Sequence, residues 1–361
     1  MMNNRTPLYK RILAIVAWVV NAALWLICLS VYVSPASCRW LGVVCIGFPF
    51  ALALVCAMLV LLLIVAPRMC YIPVVGVAAC MLTIRSYFPV NFPTTPPQGA
   101  LKIMSYNVCG WGGAKADSAG RNLVAEYISR SGADIVCCQE TYCSKKVQEE
   151  AVMPVLTPKL AYSCKVDLSA GNAISIFSRF PIVGEEKICG DSNGAAAFRL
   201  LLAPGDTVTV VNCHLESMHL TPEDRKQYHE MVRQADDTDV EGSSRMLVSK
   251  LSRATAVRAQ QADSVADFLA RNRGRSVILC GDFNDTPVSY VHWKIGHSLT
   301  DAYRATGNGL GRSFNRDAII VRIDNVFCTD DWQPYDFHID QSTLLSDHYP
   351  IVGWLKRKNG R

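Results

Sequence analysis

Apolar residues are distributed unevenly along this chain: long unbroken runs fill roughly its first ninety positions, and short runs broken by polar clusters fill the rest. Ile12 to Val33 is 22 residues without a charge, and Trp40 to Pro67 is another 28. About 20 apolar residues cross a bilayer as helix, so both runs predict transmembrane helices. A third run, Met69 to Ile84, holds 16 residues between Arg68 and Arg85. At 1.5 Å per residue it reaches only about 24 Å against a hydrocarbon core of about 30 Å. Its arginines can snorkel and Ser86 to Val90 can extend it, so the expectation is a third crossing over 69–88, with a re-entrant segment as the alternative.

Asn91 to Ala100 carries three prolines and a glycine and reads as a linker. Beyond it, Ile103 to Val108, Asp134 to Cys138, Ala173 to Ser178, Val208 to Cys213, Ser276 to Cys280, Ile319 to Asn325 and Pro350 to Leu355 read as strands, several apolar on both faces as in a covered sheet. Between them Leu123, Val124, Tyr127 and Ile128 make a short helical stripe. Leu247, Leu251, Ala254, Val257, Val265 and Phe268 mark a longer one within 244–272. Strands with interspersed helices predict an α/β domain of packed sheets with helices outside, over 101–356, followed by a basic tail at 357–361.

Charge sharpens this division. Residues 1–100 contain six Lys/Arg and no Asp or Glu, so of the chain's 36 basic and 31 acidic residues the remainder holds 30 and 31. The +5 net charge belongs to the apolar part, and the near-neutral remainder offers no compositional case for a polyanion-binding domain. Arg5, Lys10 and Arg11 favour a cytoplasmic N-terminus, and three crossings then place residue 101 onward outside the cytoplasm. A signal peptide could begin the same way, but the first run is too long for its apolar core and further apolar segments follow at once. Nine of the 15 cysteines follow residue 100, an odd number; adjacent Cys137 and Cys138 would face opposite sides of a strand, which suggests packing and not a disulfide framework.

Ionisable and amide side chains recur where strands end: Ser105-Tyr106-Asn107, Gln139-Glu140-Thr141, Asn212-Cys213-His214-Leu215, Gly281-Asp282-Phe283-Asn284-Asp285, Arg322-Ile323-Asp324-Asn325 and Ser346-Asp347-His348-Tyr349-Pro350. Converging on one sheet edge, so many carboxylates would be costly unless paired or bound to a cation. Oxygen ligands without a cysteine pair suit Mg²⁺, or Mn²⁺, better than zinc. Such a metal beside acid/base groups suits hydrolysis of a phosphate ester.

The order and wording of these six motifs resemble the endonuclease/exonuclease/phosphatase superfamily over roughly 101–356. The resemblance implies a four-layer α/β sandwich with two central mixed β-sheets, here preceded by a transmembrane helical anchor. It implies Glu140 as the principal metal ligand with Asn107 beside it, and Asp347 as a further carboxylate on the metal side. Asp282 would activate or align the water, Asn284 would hold the scissile phosphate, and His348, oriented by Asp324, would stabilise it, with Asn107 also near substrate. His214 would assist the leaving group, at a position where abasic endonucleases usually carry tyrosine. Asn325 departs from the tyrosine often found after the RID motif, and is expected to alter packing more than chemistry.

His219, His229, His292, His297 and His338 match no motif, while Trp111, Trp293 and Trp332 lie near motif loops and read as core or rim packing. The polar stretch from Leu215 to Arg245 follows His214 and reads as a long loop bordering the site or a plain exposed insertion. The expectation is a multi-pass protein of the cytoplasmic membrane, with an extracytoplasmic Mg²⁺-dependent phosphoester hydrolase domain. Its partners would be the lipid bilayer and a phosphoester substrate, with a lipid head group or small phosphoester slightly favoured and no protein partner identifiable. The alternatives are an extracytoplasmic nuclease acting on DNA or RNA, and a catalytically silent binding or sensory module.

Overall fold

The computed structural model describes residues 7–168, 171–190, 193–218, 240–316 and 321–358. The first apolar run forms α1 (Leu8–Ser30). The second forms α2 (Arg39–Val44), a 3-10 turn at Cys45–Gly47, and α3 (Phe48–Val65). The helices Leu8–Ser30 and Arg39–Val65 are each long and apolar enough to cross a membrane. The third run is not one straight helix. It divides into α4 (Tyr71–Ala79) and α5 (Met81–Tyr87), and the stretch Pro67–Ala79 meets α5 at 61°, a broken span if the pair is taken together.

Side-chain hydrogen bonds and a missing side chain hold these helices together. Asn21 of α1 donates to the carbonyl of Ile72 at 2.6 Å, and Trp25 to that of Gly76 at 3.3 Å. A Cβ on Gly76 would lie 2.2 Å from the Asn21 amide oxygen, so only glycine admits this close approach. The pair α4–α5 returns along α3, because Tyr87 at its end rests 5.2 Å from the ring of Phe48 at the start of α3.

The rest of the chain builds two mixed six-stranded sheets. One has the order β11 (Trp332–Ile339), β12 (Ile351–Arg357), β1 (Leu101–Asn107), β2 (Ile135–Gln139), β4 (Ala173–Ser178), β3 (Tyr162–Asp167). The other runs β5 (Ile182–Gly190), β6 (Gly194–Ala203), β7 (Asp206–His214), β8 (Val277–Asp282), β10 (Asp324–Cys328), β9 (Thr300–Asp301). Each sheet has one parallel pair, β1 with β2 and β7 with β8, and antiparallel pairs elsewhere. Ile103, Cys137, Ile176, Phe198, Val210 and Cys280 pack between the sheets. The outer face of the first sheet is covered by the helix Leu123–Ser131, and that of the second by the helix Val240–Arg271. Four layers result. Alternation across β2 is complete: Cys137 joins the inter-sheet core and Cys138 the outer cluster.

Several sequence expectations require correction. The strand expected at Ile319–Asn325 begins only at Asp324, because the Ser313 hydroxyl takes the N–H groups of Ile323 and Asp324 before strand pairing starts; residues 317–320 lie outside the described residues. The 357–361 tail is wrong at its first residue, since Arg357 closes β12, pairs with Asp206 and stacks 5.0 Å from the Trp332 ring. On the long helix, Val257 points outward and Arg258 takes the buried face with Thr255, Ala259 and Ala262. Helix periodicity alone ranks valine above arginine for such a face; the hydrogen bonds that reverse the ranking are tertiary. His219, His229 and most of the polar stretch after His214 fall outside the described residues.

The segment after α5 is no free tether. Asn91 donates to the carbonyls of Arg304 and Gly307, Gly309 N–H donates to Pro89, Asp336 N–H to the Thr94 hydroxyl, and Lys356 to Gln98 and Gly99. These bonds strap the chain to the domain surface. Val288, 1% exposed, sits in the same apolar cluster as Leu24, Val31, Cys45 and Phe48 of the helices.

Candidate active site

Two parallel strand pairs end side by side, and their C-terminal residues face one another. Asn107 closes β1, Glu140 follows β2, His214 closes β7 and Asp282 closes β8. Antiparallel β10 enters at the same edge, so Asp324 lies directly opposite Asp282 in the ladder. A Cβ on Gly281 would stand 2.0 Å from the Cys213 carbonyl oxygen, and its φ of 142° is one that side chains disfavour. Glycine there lets β8 run against β7 and delivers Asp282 beside His214, which it faces across the pair.

The Asn107 amide is the hub. Its Nδ2 donates to Glu140 Oε1 at 3.0 Å and to Asp282 Oδ2 at 3.1 Å, while its Oδ1 accepts the Cys109 N–H at 3.1 Å. His214 Nε2 lies 3.5 Å from Glu140 Oε1 and 3.9 Å from Asp282 Oδ2. His348 Nδ1 meets Asp324 Oδ2 at 2.9 Å, its Nε2 stands 3.6 Å from Asp282 Oδ2, and Phe314 packs edge-on at 5.2 Å. Asp347 adjoins at the half-buried rim, its Oδ1 3.4 Å from the Ser346 hydroxyl. Asn284 Nδ2 donates to the Leu215 carbonyl at 2.9 Å, and its N–H donates to Asp282 Oδ1 at 2.8 Å. All eight residues singled out in the sequence therefore meet at one edge.

Glu140 and Asn284 both adopt left-handed backbone, at φ 53° and 51°. Non-glycine residues held there carry local strain, and such strain concentrates at functional sites. Electrostatics separate the groups further. Burial raises Glu140 above the ordinary carboxylate value, with Asp347 adding to the rise against the Asn107 hydrogen bond. Burial, joined by Asp324 and opposed by the two histidines, pushes Asp282 up to about 6. Burial lowers His214, leaving it neutral near pH 7. It also pulls His348 down, but Asp324 and Asp282 outweigh it and hold that imidazole up at about 10. One histidine is thus an imidazolium and the other a free base.

The donor set fits a hard divalent cation. Among the described residues Asp282, Asp324 and His348 bring one ligating atom each within 4.8 Å of one another, and Asp324 Oδ1 is buried without a hydrogen-bond partner. Those three are deeply buried, however, with side chains 0–6% exposed, His348 hydrogen-bonded to Asp324 and its other ring nitrogen 3.6 Å from Asp282. Glu140, 26% exposed, and half-buried Asp347 are the open carboxylates, as a partly hydrated ion requires.

The sequence reading missed what holds His214. Asn172 Nδ2 lies 3.0 Å from its Nδ1, and Asn193 Nδ2 lies 3.4 Å from its Nε2 and donates to the Leu215 carbonyl at 3.0 Å. Both asparagines stand just before an apolar strand, β4 and β6, so the missed signal was a polar residue at a strand start. It also missed the bridge between the sheets, where Gln139 donates to Asn212 at 2.7 Å and Asn212 to the Cys138 and Ser175 carbonyls at 3.0 Å each. Arg258, fully buried, ties the site to the long helix: it donates to the carbonyls of Glu216 and Asn284 and pairs with Asp285 at 3.1 Å.

The Endonuclease/Exonuclease/phosphatase family model matches residues 104–348, which contain every one of these groups. The chain belongs to this family. Family members hydrolyse phosphoester bonds and are generally dependent on a divalent metal, so this chain is a metal-dependent phosphoester hydrolase. A second model, a domain of unknown function (DUF8431), matches residues 10–87 and covers the apolar helices. Among solved structures, the chain is similar to an endonuclease/exonuclease/phosphatase family protein from Bacteroides thetaiotaomicron, with 17% identity, 73% of this chain and 98% of that one covered, and a TM-score of 0.49. It is also similar to a mannosyl-6-phosphatase from the same organism (17%, 71% and 99% covered, TM-score 0.47) and to the human Nocturnin catalytic domain (16%, 72% and 94% covered, TM-score 0.49). No curated protein matches the sequence.

Proposed function

We propose that this family member is a membrane-anchored, Mg²⁺-dependent hydrolase of a phosphoester presented at the bilayer surface, a lipid head group or a small phosphoester. The observation that carries the reading is where the apolar helices meet the domain. Val288, six residues past Asp282, is buried among them, and Arg322, two residues before Asp324, donates to the Ser86 carbonyl of α5 at 3.2 Å. Both contacts lie at the sheet edge that bears the site. A site whose own loops rest on membrane helices meets a bilayer substrate without a search through solution, and the near-neutral charge of the domain offers no compositional case for a nucleic-acid track. The return of α4–α5 along α3 supports counting that pair as the third crossing; with a basic, cytoplasmic N-terminus, three crossings would put the domain outside the cytoplasm.

Glu140, with Asn107 and Asp347, would hold the metal, which when bound offsets charge on the phosphoryl oxygens and lowers the pKa of water. Asp282 aligns the attacking water and draws its proton, for which a carboxyl near 6 is well matched. The His348 imidazolium, fixed by Asp324, faces the phosphoryl oxygens, and the Asn284 side chain completes that contact. Neutral His214, held between Asn172 and Asn193, would donate its ring N–H as a hydrogen bond to the leaving oxygen, and the proton that Asp282 takes from the water is available to that oxygen through solvent.

The test uses the full chain in detergent or vesicles, with Mg²⁺ and then EDTA, against phospholipids and sphingolipids, sugar and inositol phosphates, DNA and RNA. The expected result is EDTA-sensitive release of a lipid head group or small phosphate, reduced at least 100-fold in Glu140→Gln. Cleavage confined to DNA or RNA would replace this reading with the nuclease one, and silence in every panel from folded protein would favour a binding module.

A further inference from the structure

Between the membrane helices and the catalytic domain lies a cavity of about 220 Å³. Val31 and Tyr32 at the end of α1, Leu82 of α5, Val288 of the loop after Asp282 and Trp293 of the helix Tyr290–Gly296 line it, with Arg304 on the domain side. None of these is among the residues that form the catalytic site.

Its chemistry is amphipathic in a definite direction. Leu82 is 73% and Tyr32 56% exposed on the side of the helices, and Tyr32 meets the Trp293 ring edge-on at 5.2 Å. An aromatic pair at the end of a membrane helix, beside bare aliphatic surface, marks head-group depth. On the domain side the acid is already satisfied: Asp301 takes Arg322 at 3.2 Å, His292 at 3.1 Å and the Arg304 N–H at 3.0 Å. Its charge is cancelled by Arg322. The Arg304 guanidinium has no acceptor among the described residues, although its backbone N–H and carbonyl are both bonded. Arg85 lies nearby through Asn91, whose oxygen accepts from Arg85 at 2.9 Å while its amide donates to the Arg304 carbonyl at 3.1 Å. Arg304 therefore stands without a carboxylate partner among the described residues, on a wall that mixes apolar side chains with Thr83, Ser86, Ser289 and His297, and Arg85 lies just outside that wall. The volume corresponds to roughly seven waters at about 30 Å³ each, enough for a phosphate-bearing head group and too little for two acyl chains.

We infer that this seam binds the head group of an anionic phospholipid, with Arg304 on the phosphate and the acyl chains along Tyr32 and Leu82. The inference rests on the helices lying in a bilayer and is independent of what the catalytic site cleaves. Bound there, the lipid touches Val288 and so abuts the loop that carries Asp282 and Asn284.

The test is native mass spectrometry of the full chain, delipidated and then titrated with phosphatidylglycerol or phosphatidylcholine, with inorganic phosphate as competitor. Expected is one tightly bound phosphatidylglycerol, at least tenfold stronger than phosphatidylcholine. Arg304→Gln should weaken it tenfold or more, Arg304→Lys should retain most of it, and Glu140→Gln should leave it unchanged. Equal binding of the two lipids, or full binding by Arg304→Gln, would overturn the inference. Loss in Glu140→Gln would also overturn it, by placing the lipid in the catalytic site, and displacement by phosphate alone would make the seam a free-anion site. Retention by Arg304→Lys excludes misfolding as the cause of the glutamine result.

Discussion

Arg322 offers the sharpest test of how the apolar helices and the site are joined. Its side chain is wholly buried, with Nη2 3.2 Å from Asp301 Oδ2 and 3.2 Å from the Ser86 carbonyl, Nη1 2.6 Å from Asn325 Oδ1, and the guanidinium 4.8 Å above the Tyr303 ring. Asp301→Asn removes the one carboxylate among the described residues that pairs with this charge. Breaking a buried pair by removing one partner costs about 3–5 kcal/mol, because the other charge remains without compensation. For a domain of this size, each kcal/mol moves Tm by roughly 2–4 °C, so a fall on the order of 10 °C is expected. Arg322→Met should cost a similar amount, and the double variant should be less destabilised than the sum, with a coupling of at least about 2 kcal/mol. The pH dependence has a fixed sign. Burial alone would raise Asp301, but Arg322 and His292 outweigh it and hold the carboxyl well below its usual range. A depressed carboxyl adds stability above its unfolded pKa of about 4 and loses it as pH falls through the folded value. Wild type should therefore lose more stability than Asp301→Asn on acidification below about pH 4. The assay is thermal unfolding of the full chain in one detergent across pH for all four proteins. Strict additivity, or parallel pH curves for wild type and Asp301→Asn, would refute this account of the join.

Two further outcomes follow from the site. Asn172→Ala should lower kcat about tenfold with little change in KM, since the residue steadies His214 and lies apart from the phosphate; an unchanged kcat would remove it from the mechanism. Asp324→Asn should bring the basic limb of the pH–rate profile down from about 10 toward neutrality, because the imidazolium of His348 loses its nearest negative charge. A limb that stays near 10 would show that His348 is not the group reported there.

Much of the site was legible because its groups sit where local pattern changes. Asn107, Glu140, His214 and Asp282 each interrupt or end an apolar strand, and a polar residue at such a boundary is visible without knowledge of its partners. Asn172 and Asn193 carry the same mark at the starts of β4 and β6. They passed unnoticed because a lone asparagine before a strand is ordinary turn chemistry until its distance from His214 is known. Arg258 was invisible for a different reason: nothing local distinguishes an arginine that folds inward to carbonyl oxygens from the solvated arginines around it.

The sequence by itself determined the division into an apolar helical part and an α/β part, because membrane-length runs and alternating strands are local, periodic signals that sum over many residues. It also carried the family, since six motifs in order outweigh the weakness of each. Only the tertiary structure decided how the two parts meet. The bend between Ala79 and Met81 turns on backbone angles, while the burial of Val288 among the helices and the donation from Arg322 to Ser86 join residues about 200 or more positions apart. Such contacts depend on the register and packing of whole elements, and no window of sequence contains both sides of them.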